Sequence, residues 1–350
     1  MNAPVEPALS GKLGLERAFD ASALARRLRG ACRGQVLFDV ASRGRYATDA
    51  SIYQIFPIGV VVPADAADLH AALEIARDEG VPLLPRGAGS SQCGQTVGEA
   101  LVIDHSKALT TIGPLDRDAL TIGVEPGVVL DRLNASLAPH RLWFPVDVST
   151  SSQATIGGMA GNNSCGSRSI EYGNMVHNVL GIDAILADGS EIAFGPLDSM
   201  PRSGRAGKIV DALAAIGARE HDEIAQGFPT VLRRVGGYNL DVFNPQSVRP
   251  YTSDGSVNLA HLLVGSEGTL AWFSRLTLKL SPLPAHKALG VVSFPTFYRA
   301  MEAARHIVEL KPTAVELVDR TMIDLARSNP SFEPIIDRAL TGEPQAILLT

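Results

Sequence analysis

Pro85-Arg86-Gly87-Ala88-Gly89-Ser90-Ser91 ends a short apolar run and turns the chain through a cluster of small residues. Glycine lets a backbone approach a ligand closely and adopt left-handed turns that aim several N–H groups at one point. Two more stretches read the same way, Thr155-Ile156-Gly157-Gly158-Met159-Ala160-Gly161-Asn162-Asn163-Ser164-Cys165-Gly166 and Gly265-Ser266-Glu267-Gly268-Thr269-Leu270. Each is flanked by apolar, strand-like sequence, so each is expected to be a tight loop leaving a sheet. Three such loops, far apart in the chain, suggest one long phosphate-bearing ligand lying across a sheet rather than a single nucleotide phosphate.

Upstream, Gly59-Val60-Val61-Val62 is a β-branched run closed by Pro63. A helix is predicted from about Asp65, with Leu69, Ala72, Leu73 and Ala76 on one face and Gly80 just past its last turn. Residues 81–84 resume an extended strand that runs into the first loop. This β-α-β unit favours a parallel strand pair with a right-handed crossover. An earlier helix is predicted over residues 21–32, and residues 1–14 read as a loose leader without the basic start and apolar core of a secretory signal.

Downstream, strands are predicted over 101–103 and 120–124, and a helix over 128–137. A further strand, 179–186, ends in the Asp188-Gly189 hairpin signal before Glu191-Ile192-Ala193-Phe194. Residues 207–225 read as mostly helical, Leu262-Leu263-Val264 as a strand entering the third loop, and 276–280 as a closing strand. Composition shifts at Ser281-Pro282-Leu283-Pro284, a domain boundary. A β-α-β-α pattern follows over 289–294, 297–309, 314–318 and 322–327, similar to half of a ferredoxin-like α+β layer. The sequence stops on the apolar run Gln345-Ala346-Ile347-Leu348-Leu349-Thr350, which reads as the N-terminal part of something longer with its second domain incomplete. The expected division is a leader and helix over 1–40, a ligand-binding domain over 41–281 and a partial cap over 282–350.

Composition narrows the classes. A chain of 350 residues, 45% hydrophobic and 19% charged, is well packed and holds two or three domains. Its net charge of −6 argues against a general nucleic-acid or anionic-membrane surface. No apolar run approaches the roughly 18 residues a membrane span requires. Cys32, Cys93 and Cys165 form no C-x-x-C pair, so free thiols in a reducing cytoplasm are expected rather than a zinc ribbon or iron–sulfur cluster. The eight histidines show no H-x-H or H-E-x-x-H spacing, and no metal site is expected.

The first loop suits a diphosphate, met by backbone dipoles and serine donors. It is neither a Walker A sequence, since no Gly-Lys-Ser/Thr follows, nor the G-x-G-x-x-G that opens a long helix, since Gly94 and Gly98 keep the chain in loop. Taken alone, a structural hairpin explains it equally well. In the second stretch, preceded by Ser149-Thr150-Ser151, the Asn162-Asn163 pair can both donate and accept, which fits the carbonyl and ring-nitrogen edges of a flavin. Its combination with the first loop outweighs an asparagine-rich turn.

These segments, together with Tyr172-Gly173, Val179-Leu180-Gly181 and Val264 before the third stretch, resemble the FAD-binding domain of the vanillyl-alcohol oxidase/p-cresol methylhydroxylase superfamily. Within it the sequence is most similar to the D-lactate dehydrogenase, glycolate oxidase and D-2-hydroxyglutarate dehydrogenase branch. Tyr46-Ala47-Thr48-Asp49-Ala50-Ser51-Ile52-Tyr53 resembles the opening segment of long bacterial members in which a flavin half is fused to an iron–sulfur half. The resemblance is strong over 41–281 and weak beyond. It implies an α+β fold of two subdomains with FAD extended between them, followed by the start of a ferredoxin-like cap. By it, Pro85, Arg86, Gly87, Ala88, Gly89, Ser90 and Ser91 cradle the diphosphate, with Gln92 and Gly94 nearby. Pro145, Ser149, Thr150, Thr155, Gly157, Gly158, Asn162, Asn163 and Gly166 line the second side, Gly181 and Ile182 reach the adenine or ribose end, and Glu267 and Gly268 close it.

Departures carry information too. Ala88 stands where many relatives have a third glycine, tolerable unless that position needs positive φ. Ser90 stands where covalent flavoproteins of the superfamily place a histidine, so FAD is expected to be non-covalent, with any iron–sulfur cluster only past residue 350. Cys165 is expected to be a small filler.

The resemblance implies oxidation of a D-2-hydroxy acid such as D-lactate or D-2-hydroxyglutarate, electrons passing to a quinone, a cytochrome or an electron-transfer protein rather than to NAD. It also implies a cytoplasmic protein, or one peripheral to the inner membrane. Arginine is the natural clamp for a substrate carboxylate, and Arg249 and Arg234 are the candidates, each weighed against a structural role. His286 and His306 are expected to be exposed, and the catalytic groups to lie in the missing cap. Two other readings stay open: an alcohol or aldonolactone-type oxidase of the same superfamily, and a flavin-binding fragment inactive on its own.

Overall fold

Strand β4 (Leu101–Asp104) is buried along its whole length and organises the first sheet. It belongs to a computed structural model that describes residues 22–350; the leader expected over 1–14 and the first residue of the helix expected from Ala21 lie outside the described residues. Around β4 stand β1 (Gln35–Leu37), β2 (Gly59–Val62) and β3 (Leu83–Arg86), in the order β1-β2-β4-β3. β2 and β3 both run parallel to β4, and β1 is antiparallel to β2. The β-α-β unit expected around residue 70 is therefore real in direction, but its strands are not neighbours, because β4 inserts between them. The reason is burial: Leu101, Val102 and Ile103 are fully buried, whereas β3 keeps Leu83, Leu84 and Pro85 only half-buried and suits the edge.

Helices Ala23–Ala31 and Ala66–Asp78 cover one face of this sheet, packing Leu28, Leu69 and Ala72 on Val61, Leu101 and Ile103. The longer helix starts where the Asp65 carboxylate accepts the Asp68 N–H, and ends before Gly80, whose φ of +63° stops it.

After β5 (Ile112–Asp116), β6 (Thr121–Val124) and β7 (Leu142–Trp143) come β8 (Val179–Ile185), β9 (Glu191–Phe194), β10 (Trp272–Lys279) and β11 (Ser281–Pro282). Five of them form a second, antiparallel sheet in the order β5-β6-β10-β8-β9, and β7 pairs with β11. The Asp188-Gly189 turn joins β8 to β9 as expected. Helix Leu130–Leu137 packs Leu130, Leu133 and Leu137 into this sheet's core.

Two expectations fail here. The second glycine stretch is not a loop leaving a sheet: residues Ile156–Asn162 form a helix, capped by the Thr155 hydroxyl accepting from Gly158 and ended by Asn163 at φ +53°. A threonine cap followed by buried Ile156, Met159 and Ala160 outweighs the helix-breaking tendency of its glycines. The run before the third stretch is helix Ala260–Leu263, not a strand. Short apolar runs do not separate these alternatives, and the stretch itself turns at Gly265, Glu267 and Gly268, all at positive φ.

Beyond residue 282 a separate three-stranded antiparallel sheet holds β12 (Val291–Phe294), β13 (Glu316–Asp319) and β14 (Ala346–Leu349) in the order β12-β14-β13. Helices Phe297–Ile307 and Arg320–Arg327 follow β12 and β13 in the expected alternation. The final apolar run is the central strand, which explains its burial. No helix among the described residues is long and apolar enough to cross a membrane.

Asp68, 2% exposed, holds the junction between the first helix, β1 and the second helix. Its carboxylate accepts from the backbone N–H groups of Arg33 (2.9 Å), Gly34 (2.7 Å) and Ala64 (2.8 Å). Burial opposes its ionisation, but these amides outweigh it and hold its pKa below the usual carboxylate value. Asp68→Ala should cost about 3 kcal/mol of unfolding free energy in urea melts near neutral pH. Because the folded pKa is depressed, this contribution is complete above the unfolded value of about 3.9 and disappears as pH falls through the folded one, so variant and parent should converge in acid.

Candidate functional site

Residues from all three glycine stretches meet along one furrow between the first and second sheets. A groove of about 410 Å³ is lined by Gly87, Ala88, Gly89, Ser90, Ser91 and Gln92 from the first stretch and by Ser149, Thr150, Thr155, Gly158 and Asn162 around the second, with Glu267 from the third. A narrow cavity of about 70 Å³ continues it, sharing Gly87, Gly158 and Glu267 and adding Pro85, Gly157 and Gly268. A second wide groove of about 580 Å³ begins again at Pro85, Gly268 and Trp272 and runs along helix Ala66–Asp78 to the Asp188-Gly189 turn. The furrow is thus wide, narrow and wide again.

Several expected residues stand elsewhere. Pro145, Gly94, Asn163, Gly166, Gly181 and Ile182 line none of these three spaces. Ile182 is buried in the core of the second sheet. Asn163 is fully buried, its side chain accepting from Val176 N–H and donating to the Arg234 carbonyl. At Gly94, φ is +80° and a Cβ would sit 2.4 Å from the Tyr53 ring, so this glycine shapes the loop.

Arg86 needs correction as a diphosphate ligand. Its guanidinium is buried and donates to the carbonyls of Tyr46 (3.1 Å), Thr48 (2.7 Å) and Thr96 (3.0 Å), lying 5.3 Å from the centre of the Tyr46 ring. Tyr46 in turn donates to Asp104 at 2.7 Å. Burial depresses the Arg86 pKa while Asp104 and Asp49 oppose that. The side chain therefore staples segment 46–48 to the loop from behind and leaves the groove face to small residues. Ala88 is absent from the left-handed region, so its Cβ is accommodated without strain.

Glu267 ties the third stretch to the second and to Gln95, four residues past the first. Its Oε1 accepts from Gln95 Nε2 at 3.2 Å and Asn162 Nδ2 at 3.1 Å. Burial raises its pKa, and those two amides act against the rise. Behind the narrow cavity stand His105 and Trp272, whose rings meet edge to face at 5.3 Å. Both His105 ring nitrogens and Trp272 Nε1 are buried without a hydrogen-bond partner among the described residues. Burial pushes His105 down to about 4, so it is neutral near pH 7.

Gln95, Thr96, His105 and Trp272 are lining residues that the sequence reading missed. One signal was available: His105 directly follows β4, at the carboxyl end of a parallel strand, where open α/β sheets place ligands. Cys93, which is exposed, and the half-buried Cys165 also line the groove of about 410 Å³, and both are free, as is Cys32.

The two candidate carboxylate clamps are already engaged. Arg249 donates to the carbonyls of Ser169 (2.9 Å) and Ile170 (2.7 Å), and Arg234 to Asp241 (2.9 Å), Asn239 (2.7 Å), Tyr251 (3.0 Å) and the Gly236 carbonyl (2.6 Å). His286 and His306 are exposed.

Comparison with known proteins agrees with this geometry. Residues 57–195 match the FAD binding domain, and residues 283–350 match the C-terminal domain of FAD linked oxidases. The chain is 32% identical to a D-2-hydroxyglutarate dehydrogenase of Pseudomonas putida, over 84% of this chain and 29% of that protein. It is 28% identical to the glycolate oxidase subunit GlcD of Bacillus subtilis, over 89% of this chain and 55% of that one. A solved alkyldihydroxyacetonephosphate synthase shares the fold, with a TM-score of 0.62 at 17% identity over 93% of this chain and 55% of its own. The chain spans less than a third of the length of the D-2-hydroxyglutarate dehydrogenases it matches.

The residues present fit FAD: a furrow with two wide ends, a glycine-lined wall and unpartnered buried N–H groups at its waist. At Gly158 an added Cβ meets only Thr155 Oγ1, at 3.1 Å, whereas at Gly87 it would lie 2.2 Å from the same atom. Gly158→Val should keep the fold and lower FAD affinity at least tenfold in a flavin-fluorescence titration, while Gly87→Val should fail on stability first; unchanged affinity in Gly158→Val removes this helix from the site. For Arg234, whose partner Asp241 is 2% exposed, Arg234→Met should cost about 3 kcal/mol of stability with no substrate present. Calorimetry showing no loss would return Arg234 to the list of substrate clamps.

Proposed function

We propose, given that the chain belongs to the FAD-linked oxidoreductases of the p-cresol methylhydroxylase type, that it is the flavin-binding part of a dehydrogenase acting on a D-2-hydroxy acid. The observation that carries this reading is the meeting of three sequence-distant glycine stretches on one furrow, with Glu267 bonded to Asn162 of the second and, through Gln95, linked to Ser91 of the first. The substrate class is supported by the D-2-hydroxyglutarate and D-lactate dehydrogenases among the relatives.

On this reading Gly87 to Ser91 offer backbone N–H groups and hydroxyls, and Gly158 and Asn162 form the facing wall. FAD, when bound, supplies the two-electron acceptor for the hydride leaving the substrate α-carbon. The protein's task is then to hold that cofactor immobile, exclude water and orient the substrate. Small side chains on the groove wall serve the first, since each omitted Cβ lets backbone amides reach the ligand directly. The substrate carboxylate is held by groups other than Arg234 and Arg249, whose donors are committed inside the fold. Electrons leave to an acceptor other than a nicotinamide, such as a quinone, a cytochrome or an electron-transfer protein, in the cytoplasm or at the membrane face.

The test is the visible spectrum of the FAD-loaded chain under anaerobic conditions, before and after D-lactate or D-2-hydroxyglutarate. The flavin band should bleach with the D-acid and persist with the L-enantiomer. A bound flavin that no D-2-hydroxy acid bleaches overturns the dehydrogenase reading for this chain and leaves a flavin-binding module.

A further inference from the structure

Two rings at the waist of the furrow carry buried nitrogens without partners among the described residues, and one of them, Trp272, also borders the groove of about 580 Å³. His105 is 5% exposed and Trp272 6% exposed, and the His105 nitrogens and the Trp272 Nε1–H find no partner among the described residues. An unsatisfied buried donor costs on the order of 1–3 kcal/mol, so two on adjoining rings call for an acceptor. The cavity they line, about 70 Å³, is too narrow for a ring system, yet it joins spaces of about 410 and 580 Å³ that are not. His105 Nε2 also lies directly behind the first loop, 3.6 Å from where a Gly87 Cβ would stand.

Resting on the FAD reading above, we propose that His105 and Trp272 are cofactor-binding residues, donating hydrogen bonds to acceptor oxygens of the slender sugar–diphosphate middle of FAD. A dinucleotide is broad at both ends and narrow between them, which matches the furrow. A neutral imidazole supplies one N–H and one acceptor, and an indole one N–H only, so the pair presents two donors to one short segment. The other polar side chains at the waist are already engaged, Glu267 by Gln95 and Asn162, Gln95 also by Ser91, and Thr96 by Asp49, which leaves the ring donors to face the ligand.

His105→Leu and Trp272→Phe remove the donors while keeping apolar bulk. Calorimetric titration of apoprotein with FAD, ADP, AMP and adenosine should show each variant binding FAD about tenfold more weakly, the scale of one lost hydrogen bond. Apoprotein melting should be unchanged or raised, since a buried unpaired group has gone; should His105→Leu fail to fold, His105→Phe and Trp272→Phe carry the same comparison. A penalty present with ADP and absent with adenosine assigns the donors to phosphate oxygens, and an equal penalty with adenosine assigns them to the sugar. In the parent protein the Trp272 Nε1–H proton resonance should shift when FAD is added. Parent binding with variants that match it, and no such shift, overturns this assignment alone. A parent that binds no FAD overturns the cofactor reading and this one with it.

Discussion

The furrow depends on the absence of two Cβ atoms at its seam. Where β3 leaves the first sheet, Gly87 lies so close to Thr155 that a Cβ would stand 2.2 Å from the hydroxyl oxygen. Pro85 is met in the same way by Gly268, where a Cβ would come within 2.3 Å of the proline ring. These contacts set the first sheet's exit loop against the helix and turn contributed by the second half. Van der Waals repulsion rises so steeply that any larger residue would push the halves apart or break the loop. What remains between them is a slot that is narrow at the glycine contacts and wide on either side.

Polar chemistry then rigidifies what the close approach permits. Arg86 turns away from the slot and satisfies three carbonyls behind the loop, while Glu267 joins donors from Asn162 of the second stretch and from Gln95, just past the first, across its front. Asp68 does the equivalent work at the far side of the first sheet with three backbone amides. Each buried charge is met by several hydrogen bonds, as burial in a low-dielectric interior requires. Against that background the unpartnered nitrogens of His105 and Trp272 stand out, because they lie where the slot is narrowest.

Much of this was legible in the chain itself. Valine-rich β2, the Asp65-capped helix and the Asp188-Gly189 hairpin follow local rules of burial, capping and turn chemistry that do not need the rest of the fold. The glycine stretches point to a backbone-lined ligand site only in combination, since each alone is explained equally well by a structural turn. Less legible was what those stretches become. Ile156–Asn162 is a helix because Thr155 caps it and its apolar side chains find a core, and Ala260–Leu263 is too short for any periodicity to decide.

The sequence alone placed the glycine-rich segments and the alternation of strands and helices, which rest on interactions within a few residues of one another. The class of ligand followed from the resemblance of several ordered segments to the FAD-binding family. Tertiary structure decided the strand order, since β4 takes the centre only because it can be buried on both sides. It decided that Arg86, Arg234 and Arg249 serve the fold, because a guanidinium's role depends on which carbonyls and carboxylates lie within about 3 Å. And it decided that His105 and Trp272, 167 positions apart, share one small cavity, a juxtaposition no local pattern encodes.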